Sequence, residues 1–274
     1  MVDTTWDGYD AGFLGIPVPL PRPADGREVR DLPSPRFTVL LDPARRLAAM
    51  TGVNIDGATL REVPRTGDWR LDPRVPASEQ AGPELYARND LDRGHLVRRR
   101  DPGWGDPADA RAAAEATFTY PNAAPQASGF NQSPELWVGL EDHVLRYADA
   151  TAQRISVFTA PVLAGDDPLY RGIRIPRRYF KVVTWVHGDG TPRLAATGFV
   201  LNQSELIDVR QGALAVPPLG AFRTFQVPLA DIAELAGVDL GPLVAADVLA
   251  PVDAAVRGED AWHPLRAPED VLLG

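Results

Sequence analysis

The 274-residue chain contains no cysteine. That excludes disulfides, thiolate nucleophiles and every thiolate-bound metal centre, and is in keeping with a reducing compartment. Lysine is nearly absent as well: Lys181 stands alone and all other cationic side chains are arginine, which a GC-rich coding sequence explains. The histidines are His95, His143, His187 and His263, and no two of them stand at the i, i+4 spacing of a helical metal site. A zinc centre built on several imidazoles is therefore not expected, and a bound metal would have to draw on oxygen ligands, which favours a hard cation. No apolar run reaches eighteen residues, so no membrane span is expected. Met1 to Pro23, with Asp3, Asp7 and Asp10, lacks the basic start and unbroken apolar stretch of a secretory signal. This leaves localisation open between the cytoplasm and export by a signal-independent route.

What is present is an ordinary apolar and charged content with a formal charge of -9, which reads as a globular chain. The net charge argues against a polyanionic partner only weakly, because fields are screened beyond ~8 Å and the local patch decides. Arginines cluster at Arg93, Arg98, Arg99 and Arg100, and a second basic group is read at Arg177, Arg178 and Lys181. An acidic body with a basic cleft suits transient, enzyme-like binding.

The first 34 residues, rich in Pro, Gly and charge, are expected as an extended arm over the surface. Strands are expected at Phe37–Leu41, Leu47–Asn54, Leu91–Val97, Thr117–Tyr120, Ile155–Thr159, Phe180–Val186 and Leu194–Leu201. Trp69 to Gln80 reads as loop, and Asp109–Ala116 as a short alanine-rich helix. Ser133-Pro134-Glu135 offers a hydroxyl N-cap, a first-turn proline and an acid. Leu136, Trp137, Leu140, Val144 and Tyr147 then recur at helical spacing to about Thr151. Beyond residue 206 the chain reads as short helical and loop segments. The expected architecture is α+β with a central antiparallel sheet flanked by helices. It forms a single domain, residues 1–274, with an arm at 1–34, a core at 35–206 and a C-terminal extension at 207–274 wrapping that core.

The sharpest local feature is Asp92-Arg93-Gly94-His95. Imidazole takes up a proton near neutral pH, the glycine permits a close backbone approach to a substrate, and the acid and arginine supply one group to orient and one to hold phosphate. Further along come Asn122-Ala123-Ala124-Pro125-Gln126, Phe130-Asn131-Gln132 and Trp137-Val138-Gly139-Leu140-Glu141. Taken alone, Asn122 and Asn131 read as turn asparagines and His95 as a structural histidine. Their order changes that reading, because Asn131 precedes a helix N-terminus and Glu141 lies at the edge of that helix's apolar stripe. An amide oxygen beside a helix N-terminus suits a cation and a phosphate.

The series DRGH, N-x-x-P-Q, F-N-Q and W-x-x-L-E resembles the DNA/RNA non-specific endonuclease family of the Serratia-nuclease and endonuclease G type, with its ββα-metal (His-Me finger) fold. Flanking matches include Asn54-Ile55-Asp56-Gly57, Trp69, Asp72-Pro73, Tyr86, Val157-Phe158-Thr159-Ala160-Pro161, Phe180-Lys181-Val182 and Ala196-Thr197-Gly198-Phe199, so the resemblance spans roughly residues 36 to 206. It implies a Mg2+-dependent nuclease of DNA and RNA, with Mn2+ as a substitute cation. His95 would be the general base, Asn131 the direct metal ligand, and Glu141 a second anchor of the metal through water. Asp92 would orient, and Arg93 and Asn122 would steady the site and the phosphate. Two departures stand out. The family arginine one turn after the glutamate is replaced by Leu145, with Arg146 next to it, and the Asn131–Glu141 spacing is two residues longer. The upstream family arginine has no unique match, leaving Arg65 and Arg61 as candidates. Two alternatives remain beside an active nuclease: a catalytically weak nucleic-acid-binding module, and a toxin or effector nuclease held in check by an inhibitor protein. Pairing as a homodimer is left open.

Overall fold

In the computed structural model, the described residues are 6–128, 145, 148–149, 151–188, 190–210, 213–215, 223–249, 262–265 and 270–272. In chain order the elements are β1 (Arg22–Pro23), β2 (Arg30–Ser34), β3 (Phe37–Asp42), β4 (Leu47–Asp56), α1 (Pro83–Tyr86), β5 (Leu91–His95), α2 (Pro107–Ala116) and β6 (Ala123–Ala127). They continue with β7 (Arg154–Val162), β8 (Leu169–Tyr170), β9 (Ile173–Arg174), β10 (Arg178–His187), β11 (Arg193–Asn202), β12 (Asp208–Arg210), β13 (Ala213–Ala215), β14 (Arg223–Val227), α3 (Leu229–Ala236), β15 (Val238–Asp239) and β16 (His263–Leu265).

Eight strands form the central sheet in the order β16-β14-β11-β10-β7-β4-β3-β2, with antiparallel neighbours throughout. Near-continuous apolar runs mark strands buried on both faces. Along β10, Tyr179, Val183 and Trp185 enter one core while Phe180 and Val182 enter the other. Leu91, Leu96, Ala123, Ala124 and Ala127 close the first face, so the β5–β6 hairpin is seated there. Leu229, Ile232, Leu243 and Trp262 close the second.

The fold is α+β around an antiparallel sheet, as expected. Its described part carries only short helices, so the flanking layers are largely loops, hairpins and 3₁₀ turns. Three local expectations change. Arg30–Ser34, read as part of the arm, pairs with β3 as the edge of the central sheet. Thr117–Tyr120 forms no full strand: it makes a single parallel bridge, Thr119 to Arg70, before the chain turns into a 3₁₀ helix at Tyr120–Asn122. The stretch past residue 206 supplies β14 and β16 to the central sheet rather than only helices and loops.

The second basic group also dissolves. Lys181 is 2% exposed, inside the sheet, with Nζ donating to Thr159 Oγ1 at 2.8 Å, and Arg177 is paired with Asp166 at 3.0 Å. Leu145, Ala148, Asp149 and Thr151 are helical as expected. Asn131, Glu141 and Arg146 lie outside the described residues. Leu145 is buried in the first core, so it serves packing.

Candidate active site

Antiparallel pairing sets Leu91 opposite Ala127, Asp92 opposite Gln126, Arg93 opposite Pro125 and His95 opposite Ala123. Side chains alternate along a strand, so Arg93 and His95 project from one face of the hairpin and Asp92 from the other, beside Gln126. The hairpin is anchored to the central sheet by side chains. Tyr179 Oη donates to the Pro125 carbonyl at 2.6 Å. Gln203, fully buried, donates from Nε2 to the same carbonyl at 3.2 Å and accepts from Ala127 N at 3.0 Å.

Asn122 fixes the two residues that follow the histidine and ties them to the end of α2. Its Oδ1 accepts from Val97 N, and its Nδ2 donates to the Val97 and Thr117 carbonyls, each at 2.9 Å. The Asn122 carbonyl also accepts from Leu96 N at 3.0 Å. With both amide ends committed to backbone, Asn122 steadies the site from inside the fold.

Gly94 is needed for a close approach, but not the one the sequence suggested. A Cβ at this position would overlap the Gln126 amide, which lies flat against the glycine. The visitor is therefore this chain's own side chain. Gln126 is 1% exposed, and neither amide atom has a hydrogen-bond partner among the described residues.

The His95 ring packs at 4.5 Å from Trp69 and, edge to face, at 4.9 Å from Phe118. Its Nε2 is buried without a hydrogen-bond partner among the described residues. Arg93 stands over Trp69 at 5.8 Å and Arg65 over Phe118 at 6.0 Å. Burial lowers the imidazole pKa to about 3, and the positive charges of Arg65, Arg98, Arg99 and Arg93 push in the same direction. The structure thus brings Arg93, Arg65 and His95 together. Arg61, the other upstream candidate, is held elsewhere, its Nε donating to Gly105 O at 2.8 Å. Arg98 and Arg99 were legible as a basic cluster but not as site residues. A turn after β5, in which Arg98 N donates to Asp101 Oδ2 at 3.1 Å and Arg99 donates to Val63 O, swings them back towards the ring.

A neutral imidazole ringed by arginines has a testable pH signature. Because its folded pKa lies below the unfolded value, the stabilisation it contributes is present above the unfolded ~6.5 and fades as pH falls towards the folded value. We expect the His95 ring resonances to stay those of neutral imidazole from about pH 8 to about pH 5, where a free imidazole would titrate. A midpoint near ~6.5 in the ligand-free protein would show that burial and the arginines do not govern the ring.

An α+β body whose sheet carries, on one face, a hairpin presenting a histidine among arginines is a ββα-metal nuclease fold. A chain of the crystal structure of the EndoG/EndoGI complex shares it, with a TM-score of 0.57 and 21% identity over 77% of this chain and 84% of that one. The chain belongs to the DNA/RNA non-specific endonuclease family, whose model matches residues 23–247. An uncharacterized protein of Sinorhizobium fredii, y4fB, is 37% identical over 289 residues, covering 97% of this chain and 42% of that protein. The chain thus spans about two fifths of that relative's length.

Proposed function

We propose that the chain is a sugar-non-specific endonuclease that hydrolyses phosphodiester bonds of DNA and RNA with the help of Mg2+. The observation that carries this reading is His95: a ring with a buried Nε2 that has no hydrogen-bond partner among the described residues, and whose pKa is lowered by burial and by four arginines. Such a ring is a proton acceptor already in its basic form, and the positive charge around it favours an anion. His95 takes the proton of an attacking water, and Arg93 and Arg65 offset phosphate charge as the bond order changes. When the phosphate binds, it neutralises the arginines and raises the basicity of the ring at the moment the proton has to move. Asp92, on the far face, orients the strand. Recognition runs through the sugar-phosphate backbone, which is compatible with both sugars.

Among the described residues no three His, Asp or Glu side chains converge on a metal position, and the Asn122 amide is spent on backbone. The residues that would hold a cation are Asn131 directly and Glu141 through water. An amide oxygen and a carboxylate with no thiolate suit a hard ion. When bound, such an ion neutralises charge on the scissile phosphate and the leaving 3′-oxygen. Arg146 is a further phosphate contact in this reading. The structurally similar EndoG is known in complex with EndoGI, in a structure addressing EndoG inhibition. A protein inhibitor is accordingly part of the proposal here, as is pairing of two copies.

Supercoiled plasmid and a structured RNA, each incubated with Mg2+ or with EDTA, test the reading. We expect both to be degraded with Mg2+, both to survive in EDTA, and activity to return on adding Mg2+ or Mn2+. Retention of substrate without cleavage, weakening only with salt, would identify a binding module instead. Cleavage that continues in EDTA would remove the metal from the mechanism.

A further inference from the structure

A cavity of about 360 Å³ lies between the N-terminal arm, the β2–β3 turn, the loop before α2 and the first turns of α2, and its lining includes Trp6, Phe13, Trp104, Asp7, Asp10 and Asp109. It falls within the size range of small-ligand sites. It is not the candidate active site. Asp109 and Ala112 of α2 reach the cavity, whereas Phe118, which touches His95, follows the other end of that helix. Ten helical residues separate the two ends by ~15 Å.

Three carboxylates face one cation here. Arg36 is committed to the wall: Nη1 donates to the Pro102 and Trp104 carbonyls at 2.8 and 2.6 Å, and its guanidinium lies 4.0 Å over the Trp104 ring. Asp10 accepts from Gly12 N at 2.7 Å. Asp7 and Asp109 are exposed, and the charge of Asp109 acts on Arg36. The surplus is negative, which repels a nucleic-acid backbone. The aromatic walls supply the complementary preference. Trp104 already stacks Arg36, Phe13 already stacks Arg154 at 5.1 Å, and the two rings sit 5.6 Å apart. Trp6, 42% exposed, has no such cation among the described residues. Rings that bind guanidinium within the fold, one open indole and two exposed carboxylates in a net-negative lining together define a receptor for an organic cation.

We propose that this cavity binds a guanidinium or ammonium group carried on an alkyl stem, as presented by an arginine or lysine side chain of a partner polypeptide or by a free polyamine. The stem packs on Trp6 and the head group meets Asp7 and Asp109. The test is titration of the whole chain with N-acetyl-arginine amide, with spermidine and with the neutral citrulline analogue. It is followed by calorimetry and by the indole NH resonances of the tryptophans, in the wild type, Trp6→Ala and the Asp7→Asn/Asp109→Asn double variant. Saturable binding of a cation that shifts an indole resonance, is absent for citrulline and is about tenfold weaker in both variants supports the proposal. The tighter of the two cations then identifies the source. Absence of saturation with either cation, equal binding of citrulline, or binding undiminished in the variants overturns it. Both altered carboxylates are exposed, and thermal unfolding of each variant checks that the fold persists. Cleavage enters neither readout, so this proposal and the nuclease reading fail independently.

Discussion

Replacing His95 by alanine lowers the cleavage rate by at least ~100-fold on both DNA and RNA, while the melting temperature holds or rises. The first half follows from the role of a proton acceptor for which the described residues offer no substitute. Among the described residues, the charges that act on the ring are those of Arg65, Arg93, Arg98 and Arg99, and an arginine does not give up its proton. The second half follows from the cost of the native arrangement. The ring nitrogen is buried with no hydrogen-bond partner among the described residues. An unsatisfied buried polar atom costs about 1–3 kcal/mol, against which the lost packing on Trp69 and Phe118 must be set. Stability held at the expense of activity is the mark of a functional group. Initial rates, together with thermal unfolding of the same preparation, decide the matter. A variant that keeps its rate would show that another group takes the proton.

The largest effect on stability is expected from Asn122→Ala. Three buried hydrogen bonds are lost at once, leaving Val97 N, Val97 O and Thr117 O without partners. At about 1 kcal/mol or more for each orphaned group, the loss is roughly 3–5 kcal/mol. Asn122→Asp should fare no better, since a carboxylate cannot donate to two carbonyls. Activity falls in both because the segment after β5 loosens and the arginines of its turn lose their place. Urea denaturation measures the first consequence and cleavage the second. If Asn122→Ala unfolds within ~0.5 kcal/mol of the wild type yet loses activity, the amide acts on substrate rather than on backbone.

Much of the central sheet could be read from the sequence, because β3, β4, β7, β10 and β11 are dense apolar runs buried on both faces and bounded by turn residues. The edges could not. Arg30–Ser34 contains a proline and two charges, a composition that suits a sheet edge and a surface arm equally well. Thr117–Tyr120 has strand-forming residues, but it gains only one bridge, to Arg70, before the 3₁₀ turn, and the pairing partner of a short segment leaves no periodic trace. In the candidate site the motif identified Arg93 and His95 together. The contributions of Arg65, Arg98 and Arg99 depend on a loop and a turn closing around the ring from both sides of β5. The partner of Gly94 was misread for a related reason. Sequence shows that residue 94 must be small, whereas only the hairpin register shows that Gln126 fills the space.

Lys181 gives the folded chain an unusual chemical silence. It is the one lysine in the sequence, and it lies within the sheet between Thr159 on β7 and Phe199 on β11. Amine-acylating reagents therefore meet no accessible lysine on the native surface, and enzymes that modify lysine meet none either. Acylation of Lys181 requires parting of the central sheet, so its rate becomes a clock for global opening. Dicarbonyl reagents, which attack guanidinium groups, report on the opposite region. They would map the arginine field around His95 while the sheet stays closed.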